Sequence, residues 1–207
     1  MSWVISYLLY LFAFDASPGV TFATVVRNIL NSKSLKIGIF TSLGAGLSDG
    51  SSAIIGFFFC SLLTKYATVF KIIQIIGMVV LFYIAIKMII TPCSGKLADV
   101  KNTKMTPKGA VWSGFIYTFT NIGICVVIMS VMSQYFHNVN SIAGYAFIVG
   151  VVPIMTFLTF VLVSVVIYFF KPVWNKLGDK YLRYTDKVAG VVILLLAISN
   201  VREILGL

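Results

Sequence analysis

The chain has 207 residues, 59% of them hydrophobic and only 11% charged, and its mean hydropathy is +1.01. That balance excludes a soluble domain, and apolar runs of about 20 residues each are long enough to cross a hydrocarbon core of roughly 30 Å as helices, where barrel strands would alternate. A formal charge of +10 would suit a nucleic-acid binder, but the Lys and Arg residues stand between the apolar runs, so membrane topology accounts for them and no nucleic-acid partner is expected.

The expected fold class is an all-α integral membrane protein in the lipid bilayer, with six transmembrane helices at 3–26, 37–63, 72–90, 109–132, 142–170 and 188–207. The first span has no A-x-A cleavage pattern and no basic region beyond the amino terminus, so it is expected to belong to the mature protein. It is interrupted. Leu11 to Asn28 reads LFAFDASPGVTFATVVRN, with Asp15 and the helix breaker Ser17-Pro18-Gly19 inside an otherwise apolar run. The second span holds Asp49 and a row of small residues, Gly44, Ser48, Ser52 and Gly56, that reads as a close-packing helix face. After the third span comes the polar stretch TPCSGKLADVKNTKMTPK. The fourth span is interrupted in its turn, by Thr120-Asn121-Ile122-Gly123, with Tyr117 and Thr118 as further polar neighbours. The sixth span echoes the third: GVVILLLAISN beside GMVVLFYIAIK.

Broken first and fourth spans and matching third and sixth spans divide the chain into a three-helix repeat at 1–90, a cytoplasmic linker at 91–108 and a second three-helix repeat at 109–207. Three helices is an odd number, so the second repeat inserts upside down, an architecture of secondary transporters with their site at mid-membrane. Thirteen of the 16 Lys and Arg residues fall in the connections after spans one, three and five or, as Lys87, in the last turn of the third span, which places those connections in the cytoplasm and both termini outside.

The interruptions fall at one depth. At about 1.5 Å per residue, Asp15 lies roughly 18 Å from the boundary marked by Arg27, and Asp49 and Asn121 lie about 20 Å from Lys36 and Lys108. A carboxylate at that depth costs about 2.5–3.5 kcal/mol on insertion scales, so such residues face the bundle interior and mark pathways. At the first break, Ser17 is expected to N-cap a new half-helix with Pro18 at its first position. Gly19 then admits close approach, and the N–H groups of Gly19, Val20 and Thr21 meet an anionic group such as a substrate carboxylate. The expected site is therefore Ser17, Pro18, Gly19, Val20, Thr21 and Asn121 for substrate, with Asp49 and Asp15 carrying protons. Plainer readings stand beside this one: a simple kink at the break, Asp49 bonded to Ser52 or another serine, Asp15 bonded locally, and Asn121 joining two helices.

Other chemistries lack their parts. Cys60, Cys93 and Cys125 show no C-x-x-C spacing and no disulfide is expected. The one histidine, His137, has no acidic neighbours for a metal, and neither a nucleotide loop nor a Ser-His-Asp set is present, so no cofactor and no enzyme activity are expected. Two alternatives remain on the same architecture: a metal or small-cation exporter, and a membrane thiol-disulfide conduit that would use Cys60 and Cys125.

Three stretches carry a resemblance. SPGVTFATVVRN resembles the Pro-Gly-Pro-x-Phe signature of the LysE-type amino-acid translocators, which include the homoserine and threonine exporters. GAGLSDG resembles the second-helix motif of that family, with Asp49 at its acidic position, and GFIYTFTNIG sits where the family has Gly-x-x-x-Asn-x-x-Asn-Pro-Lys. Val20 stands in place of the second proline, Ile122-Gly123 in place of Pro-Lys, and Asp15 has no counterpart. The resemblance implies efflux of amino acids or close derivatives from the cytoplasm, driven by the proton gradient. It says nothing of oligomeric state.

Overall fold

The structure, a computed structural model, describes residues 3–17, 19–63, 66–90, 105–136, 139, 141–170, 184 and 187–198. Among them are the helices α1 (Trp3–Asp15), α2 (Val20–Ser32), α3 (Leu35–Leu63), α4 (Ala67–Ile90), α5 (Pro107–Phe119), α6 (Ile122–Tyr135), α7 (Ile142–Phe169) and α8 (Lys187–Ile198), and no strand. Local chemistry sets several ends. The Thr106 and Ser141 side chains accept from the N–H groups of Gly109 and Gly144, with Pro107 at the first position of α5. Lys33, in the left-handed region at φ 53, closes α2 by donating its N–H to the Ile29 carbonyl.

Solvent preference is reversed relative to a water-soluble bundle. Phe58, Leu62, Val79, Trp112, Ile154, Leu162 and Leu195 are exposed, while Thr41, Ser42, Ser48, Asp49 and Ser52 are buried. A hydrocarbon surround explains this, since backbone and polar side chains must then find partners inside. Two helices, α3 and α7, are long and apolar enough to cross a membrane unbroken; the α1/α2 and α5/α6 pairs qualify as bent spans, turning by 55° and 67°. Of the two remaining predicted spans, Gln74–Ile90 and Lys187–Ile198 are shorter apolar helices.

The first span runs past its expected end at 26. Arg27 does not terminate α2, because its guanidinium lies 5.2 Å over the Tyr117 ring and the next residue, Asn28, donates to Thr41 Oγ1 at 3.1 Å and Ser113 Oγ at 3.2 Å. Partners on α3 and α5 thus replace water, so Arg27 is a weaker boundary marker than its charge suggests. Helix α4 likewise begins earlier than 72 and α6 ends later than 132. Most of the predicted linker, and the sixth span beyond 198, lie outside the described residues.

Helix α3 is the hub, packed on α2, α5, α6 and α7. Its small residues permit this. A Cβ on Gly44 would overlap the Val111 carbonyl oxygen of α5, and one on Gly114 of α5 would overlap the Thr41 carbonyl oxygen of α3. Two glycines therefore bring the backbones together reciprocally. Gly56 lies against Met129 and Met132 of α6, and Ser52 Oγ is 3.1 Å from Cys125 Sγ, so the row from Gly44 to Gly56 is indeed a packing face. On another face, Gly46 and Gly50 accommodate Pro153 of α7. That contact sets Asp49, between the two glycines, beside the helical turn that follows Pro153.

Candidate functional site: a cavity between two helix breaks

A cavity of about 80 Å³ lies where the two breaks meet. Asp15, Ser17, Gly19, Val20 and Thr21 line it from the first break, Asn121 from the second and Asp49 from α3; Phe14, Phe22, Ile124 and Phe160 supply apolar walls. The structure thus brings together the residues expected from depth along the chain. Pro18 lies outside the described residues.

The cap at the first break differs from expectation. Ser17 was the expected N-cap with Pro18 leading the helix; instead the cap is Gly19, at φ −104 and ψ −167, and α2 begins at Val20. Hydrogen bonding gives the reason. The Ser17 N–H still belongs to the tail of α1, donating to the Phe14 carbonyl at 3.1 Å, while the Gly19 N–H is taken by the Ser17 carbonyl at 2.8 Å and the first helical bond of α2 runs from Ala23 to Gly19 at 3.0 Å. The N–H groups of the helix that precede that bond are those of Val20, Thr21 and Phe22, one residue later than the expected Gly19, Val20 and Thr21. No atom lies within 4 Å of where a Gly19 Cβ would stand, so this glycine borders open space. The Thr21 hydroxyl is 3.0 Å from Thr118 Oγ1 and joins α2 to α5.

Asp49 and Asp15 meet at one side chain that sequence reasoning missed. The Thr156 hydroxyl of α7 donates to Asp49 Oδ2 at 2.9 Å and approaches Asp15 Oδ1 at 3.4 Å. Asp49 is therefore not bonded to Ser52, whose hydroxyl donates to the Ser48 carbonyl. The opposite oxygens, Asp15 Oδ2 and Asp49 Oδ1, are buried without a partner. The signal for Thr156 was present but faint: α7 is the most apolar helix, yet Thr156, Thr159 and Ser164 punctuate its buried face after Pro153.

Asn121 is the N-cap residue of α6 without a side-chain capping bond, and its backbone closes the second break through Thr118 and Ile124. Tyr117, Thr118 and Thr120 stay off the cavity: Tyr117 lies under Arg27, Thr118 faces Thr21, and Thr120 donates to the Ile116 carbonyl. Cys60 and Cys125 are free thiols, Cys60 packed on Phe136 and Cys125 beside Ser52, and neither lines the cavity. Among the described residues no three His, Cys, Asp or Glu side chains gather as a metal site.

The family model described as LysE type translocator matches residues 12–203, a range that takes in both breaks and every cavity residue. No curated protein and no solved structure matches the chain.

Proposed function

The chain belongs to the LysE type translocator family, and from that premise we propose that it exports amino acids or close derivatives from the cytoplasm by proton antiport. It is a multi-pass membrane protein of small-molecule transport, and the order of its described helices, a broken pair, a long helix and a shorter one, occurs twice. That recurrence supports two inverted three-helix repeats, 1–90 and 109–207, joined by a cytoplasmic linker, with both termini outside a cell or inner membrane.

One observation carries the reading: both helix breaks and both buried aspartates open onto one cavity. The substrate carboxylate is received at the start of α2 by the Val20 and Thr21 amides, with Ser17, Gly19 and Asn121 completing the described lining. Asp49 and Asp15 carry the counter-transported protons, and access alternates between the two membrane faces. Cells expressing the protein and loaded with dipeptides should release the constituent amino acid into the medium faster than cells without it. Release of no amino acid above that control rejects the export reading.

A further inference from the structure

The cavity contains an unanswered demand for hydrogen-bond donors. Asp15 and Asp49 are 6% and 3% exposed, and each has one buried carboxyl oxygen with no hydrogen-bond partner among the described residues. The other oxygen of Asp49 is held by the Thr156 hydroxyl at 2.9 Å, so rotation of that carboxyl group toward a new partner would give up an existing contact, and Asp15 Oδ1 lies 3.4 Å from the same hydroxyl. Among the described residues no Lys, Arg or His lines the cavity to answer them. Buried acceptors in that condition mark a place where something else binds.

We propose that the free oxygens of Asp15 and Asp49 form the seat of the substrate's primary ammonium group, and that protons compete with it there. The proposal rests on the amino-acid reading of the cavity and deepens it, since one pair of side chains then performs both recognition and coupling. An ammonium group brings three N–H donors and a positive charge, which meets two carboxylates and no competing cation. The start of α2 borders the same cavity, so a zwitterion lies with its carboxylate toward the Val20 and Thr21 amides and its ammonium toward the acids.

The exchange balances without redox change or covalent rearrangement. As the ammonium departs intact, protons attach to the carboxylate oxygens it vacates; as the next ammonium arrives, those protons leave to water. On the more acidic face protons win and substrate is released, and on the less acidic face substrate wins. Binding and coupling become one competition.

No other titratable side chain among the described residues faces the pair. On α1, Tyr7 and Tyr10 meet the Tyr135 ring of α6 edge-on, and the Tyr7 hydroxyl donates to the Ile148 carbonyl. On α2, Arg27 covers Tyr117 of α5. On α3, Cys60 packs on Phe136, and Lys36 stands near the far end of the helix. Cys125 of α6 sits beside Ser52, and on α7 Tyr145 and Tyr168 contact Phe136 and Phe169.

The test uses the full chain in lipid nanodiscs. Thermal stabilisation first ranks the 20 common amino acids as probes; the strongest binder is then compared with its N-acetyl derivative by titration calorimetry at several pH values, in two buffers of different ionisation enthalpy. The expected result is binding of the free amino acid with proton release, weakening by up to about tenfold per pH unit toward acid for each proton displaced, and no binding of the N-acetyl form. Asp15→Asn and Asp49→Asn, checked for unchanged helix content, should each reduce the proton release. Equal binding of the N-acetyl form, or an affinity indifferent to pH with no proton released, overturns the shared seat while leaving amino-acid export standing. Binding by none of the 20 removes the amino-acid reading, and the proposal with it.

Discussion

Thr156→Val isolates the hydroxyl that joins the two acids. Valine keeps nearly the same shape, so the contact of α7 with Gly46 and Gly50 is retained while the donor is lost. The bond removed is the 2.9 Å contact to Asp49 Oδ2; the 3.4 Å approach to Asp15 is at the limit of hydrogen-bond distance and adds little. A hydrogen bond to an ionised group contributes about 1.5–3 kcal/mol, and Thr156 is buried, so solvent does not replace the lost donor. At about 1.4 kcal/mol per factor of ten, the expected weakening of substrate binding is roughly ten- to hundredfold. Thr156→Ser keeps the donor and should recover most of it. Counterflow in proteoliposomes, measured across pH for all three proteins, reads both KM and the pH profile. A folded valine variant with wild-type KM and wild-type pH dependence would refute the role assigned to this hydroxyl, whatever its effect on melting temperature.

Asp49→Asn should fold and insert yet lose export driven by an imposed proton gradient, while retaining some exchange of substrate for substrate; gradient-driven export at the wild-type rate makes Asp49 structural. Gly114→Ala forces a methyl group into the Thr41 carbonyl, so the α3–α5 contact should weaken by about 1–3 kcal/mol and the detergent melting temperature should fall, and an unchanged melting curve contradicts the close approach. Gly19→Ala faces open space, so it should leave melting unchanged but reduce transport by narrowing the cavity; full transport by this variant places the substrate elsewhere. For topology, a cysteine replacing Asn138 should react with an impermeant thiol reagent from outside while native Cys93 does not, and the opposite pattern reverses the assigned sidedness.

Composition, periodicity and spacing along the chain were enough to assign the medium, the approximate helices and a shared depth for the polar interruptions. Composition requires a hydrocarbon surround, Pro and Gly interrupt helices wherever they are placed, and rise per residue converts separation along the chain into depth. Asp15, Asp49 and Asn121 could therefore be assigned a common level, and all three do border one cavity. Lateral arrangement was not accessible in this way. Which face of α3 meets α7 is decided by the fit of Gly46 and Gly50 to Pro153, and that fit puts Asp49 against a threonine 107 positions away in the chain. Likewise Arg27 reads as a membrane boundary until the Tyr117 ring is found beneath it, and the cap moves from Ser17 to Gly19 because the tail of α1 still claims the Ser17 N–H. Depth is a property of one helix and its sequence; the partner of a buried polar atom depends on how helices pack, and only the tertiary structure decides it.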